Sequence, residues 1–173
     1  MKFTFAVTTA FALLTSVCAS AIPSIEERTV PSTVDNLPDA DVYCKDSSGN
    51  WFTISPNTIS ESIKKAADLQ DRNKIIWQYP STINDATTLP GWPHGKPRRT
   101  VWHYPIAETS HGTAVYDGRN YGDMTRVMYT HKKDSDTATF AGIWTHHGTE
   151  GNAYYMCGTG TEWQTGIAPY PLK

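Results

Sequence analysis

Cysteine is scarce in this 173-residue chain, which has three: Cys18, Cys44 and Cys157. So few thiols argue against zinc-ribbon and iron–sulfur ligand sets, which need closely spaced groups of four. The six histidines, His94, His103, His111, His131, His146 and His147, make no HExxH pair, so no metal is expected. A glycine-rich loop of the kind that cradles nucleotide phosphates is also missing, and no cofactor is expected. Basic charge is not in excess either: 15 Lys+Arg stand against 17 Asp+Glu, a net charge of -2. With no global positive field, any phosphate contact has to come from a few local cations. No long apolar run follows the N-terminal one, so no membrane partner is expected. Asn-x-Ser/Thr is absent too, so N-glycosylation is not expected.

What the chain does have begins with a leader. Lys2, the apolar run from Phe3 to Val17 and the small residues Ala19-Ser20-Ala21 read as a secretory signal peptide over residues 1–21. Its removal takes Lys2 and Cys18, leaving 14 Lys+Arg against 17 Asp+Glu, a net charge of -3, and two cysteines. In an oxidising compartment Cys44 and Cys157 are expected to pair, closing a loop worth about 4 to 5 kcal/mol on the chain-entropy model. Residues 22–40 read as a flexible or pro-segment. Residues 41–158 hold one domain's worth of chain, and 159–173 form a C-terminal tail.

Periodicity predicts one helix, with Ile59, Ile63, Ala66 and Ala67 on a single stripe, ending near Gln70. Thr58 and Glu61 have capping-box spacing at its start. Lys64 and Lys65 read as a solvated face. Period-two alternation then predicts strands over Lys74–Gln78, Val101–Ile106, Thr113–Tyr116, Thr125–Thr130, Ala138–His146 and Ala153–Gly158. Asp117-Gly118 and Tyr121-Gly122-Asp123 are turn signals between them. A helix followed by antiparallel strands is an α+β fold.

The chemistry concentrates between Thr125 and Cys157. An arginine on an alternating strand, Arg126, supplies a bidentate cation for phosphate, and a histidine at a strand end, His146, can move a proton near neutral pH. Together with Trp102-His103-Tyr104-Pro105-Ile106 and Gly151-Asn152-Ala153-Tyr154, this stretch resembles the small secreted microbial ribonucleases of the guanyl-specific type, relatives of barnase and the ribotoxins. The resemblance covers about Cys44 to Cys157 and is weak in the middle. It implies one helix packed on a curved antiparallel sheet, with His146 as general acid and Arg126 on the phosphate. Tyr79, from a Tyr-Pro pair, and Tyr154 would line the phosphate site, and Asn84, Asp85 and Asn152 would read the base.

Two departures from the family pattern stand out. Ser81 occupies the place of the histidine after Tyr-Pro, and His103 the place of the glutamate that serves as general base. A neutral imidazole can take that role, and two imidazoles beside one arginine would each have a lowered pKa. In a rival register, Trp92-Pro93-His94 replaces Tyr79-Pro80-Ser81 and restores the second histidine. The base-reading segment lacks its usual glutamate and aromatic lid, which leaves guanine preference open. Two readings follow. In one the protein is a secreted, monomeric endoribonuclease that cleaves single-stranded RNA through a 2′,3′-cyclic phosphate. In the other it is a catalytically weak or inactive ribonuclease-fold effector that binds RNA or a host protein. A fungal effector or toxin, delivered into a host cell, suits either.

Overall fold

A computed structural model describes residues 30–46, 48–83, 100–109, 112–119, 125–146 and 155–159. Three short strands come first: β1 (Thr33–Asp35), β2 (Val42–Lys45) and β3 (Trp51–Ile54). Helix α1 (Pro56–Asp71) follows, and then β4 (Ser81–Ile83), β5 (Val101–Thr109), β6 (Gly112–Val115), β7 (Thr125–His131), β8 (Thr137–Thr145) and β9 (Tyr155–Met156). The class is α+β, one helix on a mostly antiparallel sheet.

The main sheet runs β1-β8-β7-β5-β4, with β6 pairing β5 and β9 pairing β8, while β2 and β3 form a separate hairpin. Among the described residues only β1 pairs in parallel, Thr33 to Asp35 against Thr137 to Thr139 of β8. It lies within residues 22–40, read as a flexible or pro-segment. Its Val34 packs against the core beside Leu37, which brings the folded unit back to at least Thr33.

Helix α1 starts at Ser55 rather than at the Thr58 and Glu61 pair. The Ser55 hydroxyl accepts the Thr58 N–H at 3.1 Å, and Pro56 takes the first-turn position where no N–H is needed. The helix ends with Asn73 in the left-handed region at φ 52 and Lys74 N–H donating to the Leu69 carbonyl at 2.8 Å. This closure satisfies a carbonyl that the helix leaves open. The apolar stripe is buried as its period predicts: Ile59, Ile63, Ala66 and Ala67 are all fully covered. They pack on Tyr104, Ile106, Val127, Tyr129 and Ile143 from the sheet.

The segment Lys74–Gln78 does not form the expected strand. Trp77 adopts φ 62, and Ile76 and Tyr79 exchange backbone hydrogen bonds at 2.7 and 3.1 Å, which closes a tight turn. Apolar content suggested a strand; backbone reversal at Trp77 prevents one.

Two covalent and polar ties hold the ends. Cys44 and Cys157 form a disulfide with Cα atoms 4.9 Å apart across 113 positions of sequence. Beside it, Tyr43 and Gly158 exchange backbone hydrogen bonds. At the other end of the sheet, His131 Nδ1 lies 3.2 Å from the Thr137 carbonyl and Nε2 lies 3.0 Å from both Asp71 oxygens. Each ring nitrogen thus faces an oxygen, a carbonyl on one side and a carboxylate on the other. This buried pair pins the C-terminal end of α1 to the end of β7.

Burial, followed by the field of Tyr116, raises the pKa of Tyr104, whose hydroxyl donates to the Tyr116 carbonyl at 3.0 Å. Burial, followed by Tyr104 and Asp71, raises that of Tyr129. In the unfolded chain both ionise near pH 10, so their stabilising contribution is whole below about pH 10 and falls as pH rises further. Alkaline titration followed at 295 nm should show these two hydroxyls ionising only as circular dichroism reports unfolding. Free ionisation of all tyrosines before the fold is lost would contradict their burial. Replacing both Cys44 and Cys157 by alanine should lower unfolding stability by about 4 to 5 kcal/mol, measurable by urea denaturation.

Candidate functional site

The side of the sheet away from α1 is built by register. Met128 of β7 stands opposite His103 of β5 and Gly142 of β8, and Arg126 stands opposite Pro105 and Trp144. Ser81 of β4 stands opposite His103 on its other side. Side chains alternate along a strand, so these residues share one face while Tyr104, Val127 and Ile143 point to the helix. Beneath the polar groups lies a second apolar cluster of Val101, Met128 and Trp144, with Ile83, Ala141 and Met156 against it. Gly142, at φ 144, makes room for it: a Cβ there would come within 2.5 Å of the Trp144 ring.

On this floor three predicted residues meet. Arg126 Nη1 lies 3.3 Å from His103 Nδ1. The same guanidinium sits 5.2 Å over the centre of the Tyr79 ring, a cation–π contact. Tyr79 in turn meets His103 edge-on, with ring centroids 5.4 Å apart, and Tyr116 edge-on at 6.3 Å. His103 is 8% exposed and Tyr79 is buried, with its hydroxyl 3.3 Å from Gln78 Nε2. Tyr79 is therefore both a core residue and the platform for Arg126.

A guanidinium can only donate, so the Arg126 contact makes His103 Nδ1 an acceptor and leaves the neutral ring's proton on Nε2. Nδ1 is the ring atom with a lone pair to offer, and Arg126 occupies it. An anion that draws the guanidinium away frees that lone pair.

His146 lies one residue beyond β8, half-buried, two positions from the Trp144 that pairs with Arg126. Asn84, Asp85, Asn152 and Tyr154 fall outside the described residues, as do His94 and the Trp92-Pro93-His94 alternative. The segment beside His103 is Tyr79-Pro80-Ser81. Glu108, a carboxylate on β5, alternates onto the helix side and accepts the Thr125 hydroxyl at 2.8 Å. Among the described residues no three His, Cys, Asp or Glu side chains gather to hold a metal ion. Sequence reasoning missed the cation–π seat of Arg126 on Tyr79; residues 47 positions apart carry no local signal for it.

No protein-family model matches this chain, and no curated protein sequence matches it.

The tautomer can be tested directly. Nitrogen-15 shifts of the imidazoles should report His103 as the Nε2–H form near neutral pH. An Nδ1–H signal would mean that Arg126 does not hold this ring.

Proposed function

We propose that this protein is a secreted ribonuclease-like enzyme that cleaves single-stranded RNA by transphosphorylation. The observation that carries the reading is Arg126 held between the Tyr79 ring and His103 Nδ1, a cation and a proton acceptor side by side. The disulfide suits an oxidising, extracellular compartment.

A phosphodiester entering the site draws Arg126 onto its non-bridging oxygens, where a planar guanidinium binds in bidentate fashion. His103 Nδ1, released, takes the proton of the ribose 2′-hydroxyl. The 2′-oxygen attacks phosphorus, the bond from phosphorus to O5′ breaks, and O5′ leaves with a proton from His146. The products are a 2′,3′-cyclic phosphate and a free 5′-hydroxyl. In the second step water opens the cyclic ester: His146 takes the water proton and His103 returns its own to the 2′-oxygen, leaving a 3′-phosphate. Tyr79 is a positioning residue, seating the cation through its ring.

The 8% exposure of His103 favours a second reading, a catalytically weak protein on the same scaffold that binds RNA or a host protein. A base under such cover reaches its substrate only if the site opens.

Incubation of a defined single-stranded RNA, with mass analysis of the ends, separates the two. The enzyme should give 2′,3′-cyclic phosphate termini. His103→Ala and His146→Ala should each lower kcat/KM by about 10² to 10⁴, and Arg126→Ala by about 10² to 10³. With an imidazole base, log kcat/KM should rise through about pH 6 to 7, where a carboxylate base would give a limb near 4. Undiminished activity in His103→Ala removes it as the base; no turnover by wild type with RNA still bound establishes the binding protein.

A further inference from the structure

The turn that delivers Tyr79 to the site carries an unusual residue at its tip. Trp77 is 69% exposed, and Ile75, also exposed, stands two residues before it. A bulky side chain at φ 62 is strained, because Cβ crowds the backbone in the left-handed region. Exposing an indole to water also forgoes the gain of burying it. Neither feature helps the fold, and glycine or asparagine would serve the turn better.

The turn is nevertheless rigidly held. Ile76 and Tyr79 exchange two backbone hydrogen bonds, and Gly118 packs so closely that a Cβ there would fall 2.5 Å from Ile76 Cγ2. That glycine also faces Trp77 Cδ1 at 4.0 Å from the same position. The indole is therefore presented on a stiff support two residues from the platform of Arg126. Cations flank it in sequence and space: Lys74 is exposed, and Arg119, next to Gly118, is 79% exposed while 3.4 Å from Asp117.

We infer that Trp77 is a stacking platform for an unpaired RNA base next to the phosphate held by Arg126. The inference rests on the RNA reading of that site and names how the strand is gripped beside it. Stacking on an aromatic face suits any base, so Trp77 adds affinity without sequence choice. Its pre-set backbone lowers the ordering cost of binding. Lys74 and Arg119 meet the flanking phosphates, which an overall acidic chain otherwise attracts poorly.

The test is binding of a fluorescent 2′-O-methyl hexa-adenylate, which the proposed reaction cannot cleave, to the full chain, followed by anisotropy. Trp77→Ala should weaken binding roughly tenfold with an unchanged salt slope, and Trp77→Phe should keep most of the affinity. Arg126→Ala should instead reduce the slope by about one. Trp77→Gly separates function from folding: relieving φ 62 should raise Tm by a few degrees while binding falls as in the alanine variant. Binding that drops with Arg126→Ala but not with Trp77→Ala overturns the platform and leaves the RNA reading standing. A wild-type protein that does not bind the probe overturns both, and binding of a protein partner lost in Trp77→Ala would then place a protein contact there.

Discussion

Strand β7 is hydrogen-bonded on both sides, and its register decides which chemistry faces which way. Arg126 looks away from α1 because Val127 and Tyr129 look toward it, and both sets are locked by pairing with β5 and β8. A slip of one residue would drive the guanidinium in among Ile59, Ile63 and Tyr104 and send Tyr129 out. Burying an unpaired charge costs several kcal/mol, so the apolar helix face enforces the polar arrangement opposite it. The break between Met128 and Tyr129 belongs to the same logic. Pairing jumps from Gly142 to Phe140, leaving Ala141 as the extra residue. Counting by twos from Trp144 would put Phe140 on the Arg126 side. The bulge returns it to the helix core and leaves Ala141 against Met128 and Trp144.

The two faces of the sheet consequently do different work. Toward α1 there is a closed core in which hydroxyls such as those of Tyr104 and Tyr129 sit where ionisation is disfavoured. Away from it, a thin apolar layer supports Arg126, which a ring face and an imidazole nitrogen help to hold in position before an anion arrives.

Much of this was legible in the sequence where signals are long. The helix runs 16 residues, and β5, β7 and β8 run seven to nine residues each, enough for periodicity to show. β1 to β4 have three or four residues each, too few for periodicity to speak, and they exist because longer strands or a disulfide hold them. The Ile-Ile-Trp run failed for another reason: its composition favours a strand, and only φ at Trp77 reverses it. Within the site, Arg126 and Tyr79 are legible through the resemblance, and His103 as a departure from it. Their mutual contacts are not, since they come from three separate elements whose meeting depends on sheet order.

Strand β1 limits how far proteolysis can trim the chain. Ser32 and Thr33 both donate to the Asp136 carbonyl, at 2.9 and 3.2 Å, and Thr33 to Asp35 then close the free edge of β8. A proteolytic cut that leaves this fold intact has to fall before Ser32. A protease that trimmed past Asp35 would leave a bare strand edge with unpaired amide and carbonyl groups, the template on which chains add to one another. With β1 in place, that edge of β8 is closed to strand addition by a second chain.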